Sequence, residues 1–520
     1  MRTCTPGPSF RTLWKKLSLV LFAALLLQAC SVLSCSNRNG VTGRKGDPTA
    51  SGTQSETSAT TALVGTTTRI VVTFNDDTND GTSITYTSTG RHINSGASNM
   101  GWSYSDNGGA TWNYGGKVKP PSGWPVLWGD PAVTTSQTNY SVVFMSNLAI
   151  PSGKFPSGGI DGSVDPFAPE SYLGGACIAK STDSGKTFAI YQCVTNTTPV
   201  EGVGDATQGH FYDGGSMVAS NSGEVFASFV DVATQQIDVY RSPSDSGTFK
   251  LIAPPFPGMY VAAHPRMRAA RDGSVYVAAQ VIGSDQNTYV YLNRYSGGSW
   301  GKPIQASSHP TVFYDSIDFG TTVDGSELTL RVGNSMSYDV GASSPDGSDA
   351  IRLLYLRQDS HSNGPRYIDA SACYADLHSC APVPQWSFKG GGPGNSQVDV
   401  INPEVVAWPG FIGLPPTWQA SWAYHYGKTN TVNVSRATLG YFPDSDNPIV
   451  IIPVDILQNT PVCSDSGRGY WGDYDSMLQV GWQGTSSVWM RFLADSSQGC
   501  PTRWFYLGET QHLQQANYAY

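Results

Sequence analysis

Apolar and polar residues alternate along most of this chain in short runs, as in "RIVVTFND" from Arg69, "NYSVVFMS" from Asn139, "SVYVAAQV" from Ser274 and "SVWMRFLAD" from Ser487. A period of two is the mark of β-strands. No stretch carries a convincing 3.6-residue period, so the pattern predicts an all-β protein. Composition agrees: 57 Gly and 33 Pro with 14% charged residues suit many short strands joined by tight turns.

The runs recur as a larger unit of strand, turn and strand. It reads "SATTALVGTTTRIVVTFND" from Ser58, "GDPAVTTSQTNYSVVFM" from Gly129, "DGGSMVASNSGEVFASFV" from Asp213 and "HPRMRAARDGSVYVAAQV" from His264. It returns from Tyr314, Asn402 and Gly472. A second repeat falls later in the units. "STDSGKTF" at Ser181 to Phe188 shares a template with "SDNGGATW" at Ser105 to Trp112, and "SPSDSGTF" from Ser242 and "SGGSW" from Ser296 are eroded copies. In this turn an Asp side chain can bond backbone amides, Gly tolerates positive φ, and the aromatic packs the hairpin down. The intact form resembles the Asp-box of sialidase-type β-propellers. The resemblance and the unit count together predict a seven-bladed β-propeller of four-stranded blades. Six blades, as in the sialidases it resembles, is the alternative. A closed ring of blades also argues for one domain rather than two.

The N-terminus changes the picture of where this domain works. Arg2, Arg11, Lys15 and Lys16 precede an apolar run from Leu17 to Leu27 that ends in "LQAC". This reads as an export signal over residues 1–29. "LQAC" is similar to a bacterial lipobox, which makes Cys30 the lipid anchor to a membrane. "VLSC" at Cys35 allows the same reading, and a simply cleaved signal is the other option. Residues 30–57, rich in Gly, Ser and Thr, read as a flexible tether, and residues 58–520 as the propeller.

Export makes the six cysteines beyond Cys35 candidates for bridges. Cys177 and Cys193 flank the turn at Ser184 and Gly185 symmetrically, so a hairpin sets them opposite each other. Nearness favours Cys373 with Cys380, which leaves Cys463 with Cys500. No Cys-x-x-Cys pair occurs, which argues against a zinc site.

Chemistry in a propeller is expected where the innermost strands start. The unit starts offer Asp130, Asp213, Asp315, Glu404 and Asp473 as carboxylates, with "WGD" occurring at both Trp128 and Trp471. Paired carboxylates perform glycosidic cleavage, and aromatic rings stack on sugars. Arg266 and Arg468 are candidate contacts for an anionic ligand. Tyr474 beside Asp473 is a further candidate contact, although alternation turns it away if Asp473 faces the tunnel. The resemblance implies an arginine clamp on a substrate carboxylate, a Tyr and Glu nucleophile pair and an Asp acid. The early arginine of that pattern finds only "TRIVV" here, and Arg69 lies in a second strand, so it is not assigned to the site.

A net charge of −9 and the absence of a basic stripe argue against nucleic acid. The expected partner is an extracellular or surface glycan, bound by a monomer without a cofactor. Calcium held by the carboxylates is the open option. Each acid also has a bland role as a turn cap. The function is therefore either a sialidase-like glycoside hydrolase, a non-catalytic propeller that binds glycan or protein, or an envelope scaffold.

Overall fold

The structure, a computed structural model, describes Asn39–Gly40 and residues 54–76, 84–87, 90–93, 96–152, 174–198, 210–262, 265–312, 315–321, 327–332, 335–342, 349–358, 366–383, 398–408, 417–426, 432–439, 450–454, 464–465, 468–470, 476–483, 486–495 and 512–519. Among these the regular structure is strand, mostly in antiparallel sheets of four, with one antiparallel sheet of six strands, one mixed sheet of four and one two-stranded hairpin. Seven sheets, here I to VII, have their first strands at Gln54–Val64, Val126–Thr135, Tyr212–Ala219, Arg266–Ala269, Met336–Ala342, Val398–Trp408 and Ser476–Gln483. Each first strand packs on the next, and that of sheet VII packs on that of sheet I. The cycle is closed.

Side-chain alternation explains the stacking. The second strands of sheets I to V are buried on both faces, so they read as nearly unbroken apolar runs. In sheet IV, Val275, Val277 and Ala279 pack toward sheet III with Phe226 and Val239, while Tyr276 and Ala278 pack toward sheet V with Tyr338 and Leu353. In sheet I, Val71 packs toward sheet II, whereas Ile70, Val72 and Phe74 meet Leu478 of sheet VII. Burying a Val, Leu or Phe contributes about 1.5 to 3 kcal/mol. No sheet could cover both of its faces alone.

The free edge of each first strand faces the axis, and its N–H groups need acceptors. At four of them a hydroxyl or carboxylate of the preceding sheet accepts from such an N–H. Ser58 Oγ accepts from Val133 N–H at 3.1 Å, Ser216 Oγ from Met267 N–H at 2.9 Å, and Ser337 Oγ from Val405 N–H at 3.2 Å. Two residues on, Thr134 accepts from Ala219 and Asp339 from Ala407. This register makes Ser58, Ala132, Ser216, Arg266, Ser337 and Glu404 equivalent positions.

Two sequence expectations need correction. The unit from Tyr314 is not part of the cycle. Asp315–Thr321 and Glu327–Val332 join Arg468–Tyr470 and Ser464–Asp465 in a separate sheet, with a parallel pairing between Glu327–Val332 and Arg468–Tyr470. Sheet V begins at Met336 instead. Alternation misled here because a strand covered on both faces is apolar throughout, and "IRLLYLR" from Ile351, with Ile351 and Leu353 to Leu356 fully buried, is that strand. The tether also ends earlier than expected. The first strand starts at Gln54, and Asn39–Gly40 pairs with Gln514 and Gln515 as the outer strand of sheet VII.

Candidate functional site

The first strands all run away from one face of the cycle, called here the upper face. Just inside it, three of them carry a bulge with a positive φ, at Asp130 (55°), Gly214 (55°) and Asn402 (47°). Pro follows both Asp130 and Asn402. A non-Gly residue held at positive φ stores strain of about 1 to 3 kcal/mol and is kept only where neighbours fix it. For Asp130 they do. Its N–H donates to Asn75 Oδ1 at 2.9 Å and its Oδ2 accepts from Gly214 N–H at 2.8 Å, so it ties sheets I, II and III together. Asp130 is buried, and its carboxylate serves this bond.

Glu404 follows the third bulge. It is fully buried, and its Oε1 accepts from Arg266 Nη2 at 2.9 Å while Oε2 accepts from the Ser337 hydroxyl at 3.0 Å. Arg266 belongs to sheet IV and Glu404 to sheet VI, so the pair bridges non-neighbouring sheets past sheet V, across the space the first strands enclose. Below it Arg268 Nε lies 3.4 Å from Asp339 Oδ1. Burial pushes the Asp339 carboxyl up, against the opposing pull of Arg268 and two backbone N–H groups. The axis is thus lined unevenly, with hydroxyls from sheets I to III and charges from sheets IV to VI.

The remaining candidates divide. Asp213 is half-buried at the start of the first strand of sheet III, and its carboxylate bonds the adjacent Gly214 N–H at 3.1 Å. Trp128 is half-buried and packs against the core between sheets II and III. Asp315 and Arg468 share the sheet outside the cycle. Asp473, Trp471, Tyr474, Cys30, Cys463 and Cys500 lie outside the described residues. The other two bridges are formed, Cys177 with Cys193 and Cys373 with Cys380.

Arg69 holds a structural place. Its Nε and Nη2 bond Asp106 at 2.6 and 3.1 Å, and Nη1 bonds Asp183 O at 3.0 Å, which clips the lower turn of sheet I to that of sheet II. These turns join third and fourth strands and make matching bonds. Asp183 Oδ1 accepts from Ser181 Oγ and Thr187 N–H, and Asn107 Oδ1 accepts from Ser105 Oγ and Thr111 N–H.

Sequence reading missed a cluster on the upper edge of sheet III. His210 Nδ1 meets Asp231 Oδ2 at 2.5 Å, and Nε2 meets Thr198 O at 2.7 Å. Beside it Asp238 Oδ2 accepts from Tyr212 Oη and Asn196 Nδ2, both at 2.8 Å, and Tyr212 Oη also meets Tyr240 Oη at 2.6 Å. The signal was there in retrospect: Asp231 ends and Asp238 nearly begins an otherwise apolar strand. His210, Asp231 and Asp238 have the donor types of a metal centre, with their donor atoms within 4.8 Å of one another. Each of those residues already has protein partners, however, and both ring nitrogens of His210 are engaged.

No family model matches the sequence, and a search of curated protein sequences returns no match. Among solved structures the chain is similar to the NanB sialidase from Streptococcus pneumoniae (13% identity, TM-score 0.45, 77% of this chain and 69% of that one). It is similar also to the α-L-arabinofuranosidase Arb93A from Fusarium graminearum (12%, 0.40, 81% and 97%) and to the intramolecular trans-sialidase from Ruminococcus gnavus (12%, 0.44, 82% and 99%). The roles of the residues above follow from their own contacts and owe nothing to these likenesses.

Proposed function

We propose that this protein acts on glycosides, with the ligand entering at the upper face of a seven-bladed propeller, and that it is exported as a monomer and held to a membrane by lipid on Cys30. The observation that carries the reading is the bond from Arg266 of sheet IV to Glu404 of sheet VI. A buried carboxylate fixes one edge of the guanidinium by a charge-assisted bond, while the Arg266 side chain stays 14% exposed. Arg266 thereby becomes an oriented donor for an oxygen-rich or anionic sugar, and Glu404 its positioning residue.

Proton transfer needs an acid that holds no sheet together. Asp130 and Glu404 are both committed to such bonds. Asp213 is half-exposed and, among the described residues, bonds only its own neighbour, so it is the candidate acid, with Asp473 its proposed partner. The test is release of sugar from sialosides and a broad glycan panel by the soluble chain from residue 36, compared with Asp213→Asn. Release that disappears in the variant supports a hydrolase with Asp213 at its centre. Binding without release, equal in the two proteins, favours a non-catalytic glycan-binding propeller. That second reading is supported by the structural commitment of Asp130 and Glu404.

A further inference from the structure

Strand direction fixes the side from which the chain enters the cycle. The first strand of sheet VII, Ser476–Gln483, runs from the upper to the lower face, so Ser486–Asp495 runs up and His512–Ala519 runs down. Asn39–Gly40 pairs antiparallel with the last of these, Asn39 opposite Gln515 and Gly40 opposite Gln514, and therefore points up. The chain reaches Asn39 from below. Gln515 stands four positions from Ala519, the lower end of its strand, which is roughly 13 Å. Cys30 precedes Asn39 by nine positions and so lies within about 30 Å of it. A chain that keeps the direction of the strand carries Cys30 beyond the lower face, whereas a place above the cycle requires a reversal at Asn39.

The lower face beside sheet VII holds apolar side chains in solvent. Six large apolar side chains are exposed among the described residues. Leu63 (38%), Val64 (41%) and Tyr140 (46%) stand together at the lower tips of sheets I and II, and Tyr374 stands at the lower turn of sheet V. Leu251 belongs to the outer strand of sheet III, and Tyr260, opposite Ile282, to the upper side. The tips are held in place. Leu63 N–H donates to Tyr140 O at 3.0 Å, and the Ser184 hydroxyl donates to Leu63 O. Of the carboxylates in the adjoining turns, Asp106 is paired with Arg69, and Asp183 is bonded by the Ser181 and Thr187 hydroxyls. Lys186, in the same turn as Asp183, is exposed.

We propose that the lower face is a membrane-docking surface: Leu63, Val64 and Tyr140 enter the interface of the bilayer that holds the lipid on Cys30, and the upper face opens away from that bilayer. The idea rests on the lipid-anchored reading of Cys30 and is independent of glycan turnover. Leu and Val bring apolar area to the acyl boundary, and a Tyr ring, with an apolar body and a polar tip, suits the headgroup level. A single acyl chain holds a protein only marginally, so a second contact strengthens the attachment and also orients it. The substrate is constrained in turn. With Arg266 and Asp213 on the far side, the glycan comes from solution or from an opposing surface, not from headgroups of the protein's own membrane.

The test uses the full lipid-bearing chain in vesicles of phosphatidylethanolamine and phosphatidylglycerol that include a phospholipid with a diazirine near the glycerol end of one acyl chain. Light expels N₂ from the diazirine, the resulting carbene inserts into neighbouring side chains, and mass spectrometry of the digest locates the label. Label on the peptides carrying Leu63, Val64 and Tyr140 should exceed that on the peptide carrying Tyr260 by at least about fivefold. The triple variant Leu63→Ser, Val64→Ser, Tyr140→Ser should lose that label and keep the lipid mass. Label centred on Tyr260, or spread evenly around the propeller, overturns the docking, while an intact lipid mass leaves the anchor standing. A chain with no lipid and no label overturns both. A chain with no lipid that is still labelled at Leu63, Val64 and Tyr140 supports docking by the face alone. If the triple variant fails to fold, the wild-type pattern decides. Failure of glycan turnover leaves all of these readouts standing.

Discussion

Removing the charge of Glu404 tests the bridge from sheet IV to sheet VI. Glu404→Gln keeps the size of the side chain and an oxygen for the Ser337 hydroxyl, but it leaves the Arg266 guanidinium, 14% exposed, opposite a neutral amide. Breaking a buried ion pair by removing one partner costs about 3 to 5 kcal/mol. The remaining solvent access of Arg266 and the acceptor left on Gln place this change at the lower end, about 3 kcal/mol. That is a large share of a typical total of about 5 to 15 kcal/mol. Arg266→Met does the reverse and leaves a carboxylate with no exposure facing a thioether, so it should cost about 4 kcal/mol or more. The double variant removes both charges. Its loss should fall short of the sum by at least about 1 kcal/mol, because neither residue is then left charged without its partner. Urea unfolding followed by tryptophan fluorescence measures all three. Losses that add to within about 0.5 kcal/mol would show that the two residues do not meet and would remove the basis for an oriented Arg266. Stability has to be measured beside turnover, since Glu404→Gln would lower activity even if Glu404 never touches substrate.

Other expectations concern the lower turns and bridges. Asn107 makes the bonds that Asp183 makes, so Asp183→Asn should change the melting temperature little, whereas Asp183→Ala should cost about 1 kcal/mol. Burial raises the Asp183 carboxyl, but bonds from Thr187, Ser181 and Lys186 hold it below its ordinary 3.8. Its contribution is therefore present above pH 3.8 and lost as pH falls through the lower folded value, and acid unfolding curves of Asp183→Asn should lack that component. Gly185 has φ of 80°, and an added Cβ would lie 2.5 Å from Val71 Cγ2, so Gly185→Ala should destabilise by about 1 to 3 kcal/mol in thermal melts. The bond between Cys177 and Cys193 closes a separation of 16 residues. The pair Cys177→Ser and Cys193→Ser should lower the unfolding free energy by about 3 kcal/mol, and an unchanged urea midpoint would show that the bridge adds nothing.

The sequence by itself determined what is local. Period-two runs gave the strands, and the symmetric placing of Cys177 and Cys193 about Ser184 and Gly185 gave a hairpin and its bridge, because both depend on side chains a few residues apart. The turn bonds of Asp183 were legible for the same reason. Tertiary structure decided the rest. Whether a strand pair joins the cycle depends on both of its faces being covered, which is why Asp315 was misplaced and Met336 overlooked. Whether an acid is available depends on what reaches it from other sheets. Nothing near Glu404 in the chain announces Arg266, 138 residues away, and nothing beside His210 announces the Thr198 carbonyl and Asp231 carboxylate that its ring meets. The Arg266–Glu404 contact exists only once the ring closes, because only then do strands far apart in sequence share one buried face.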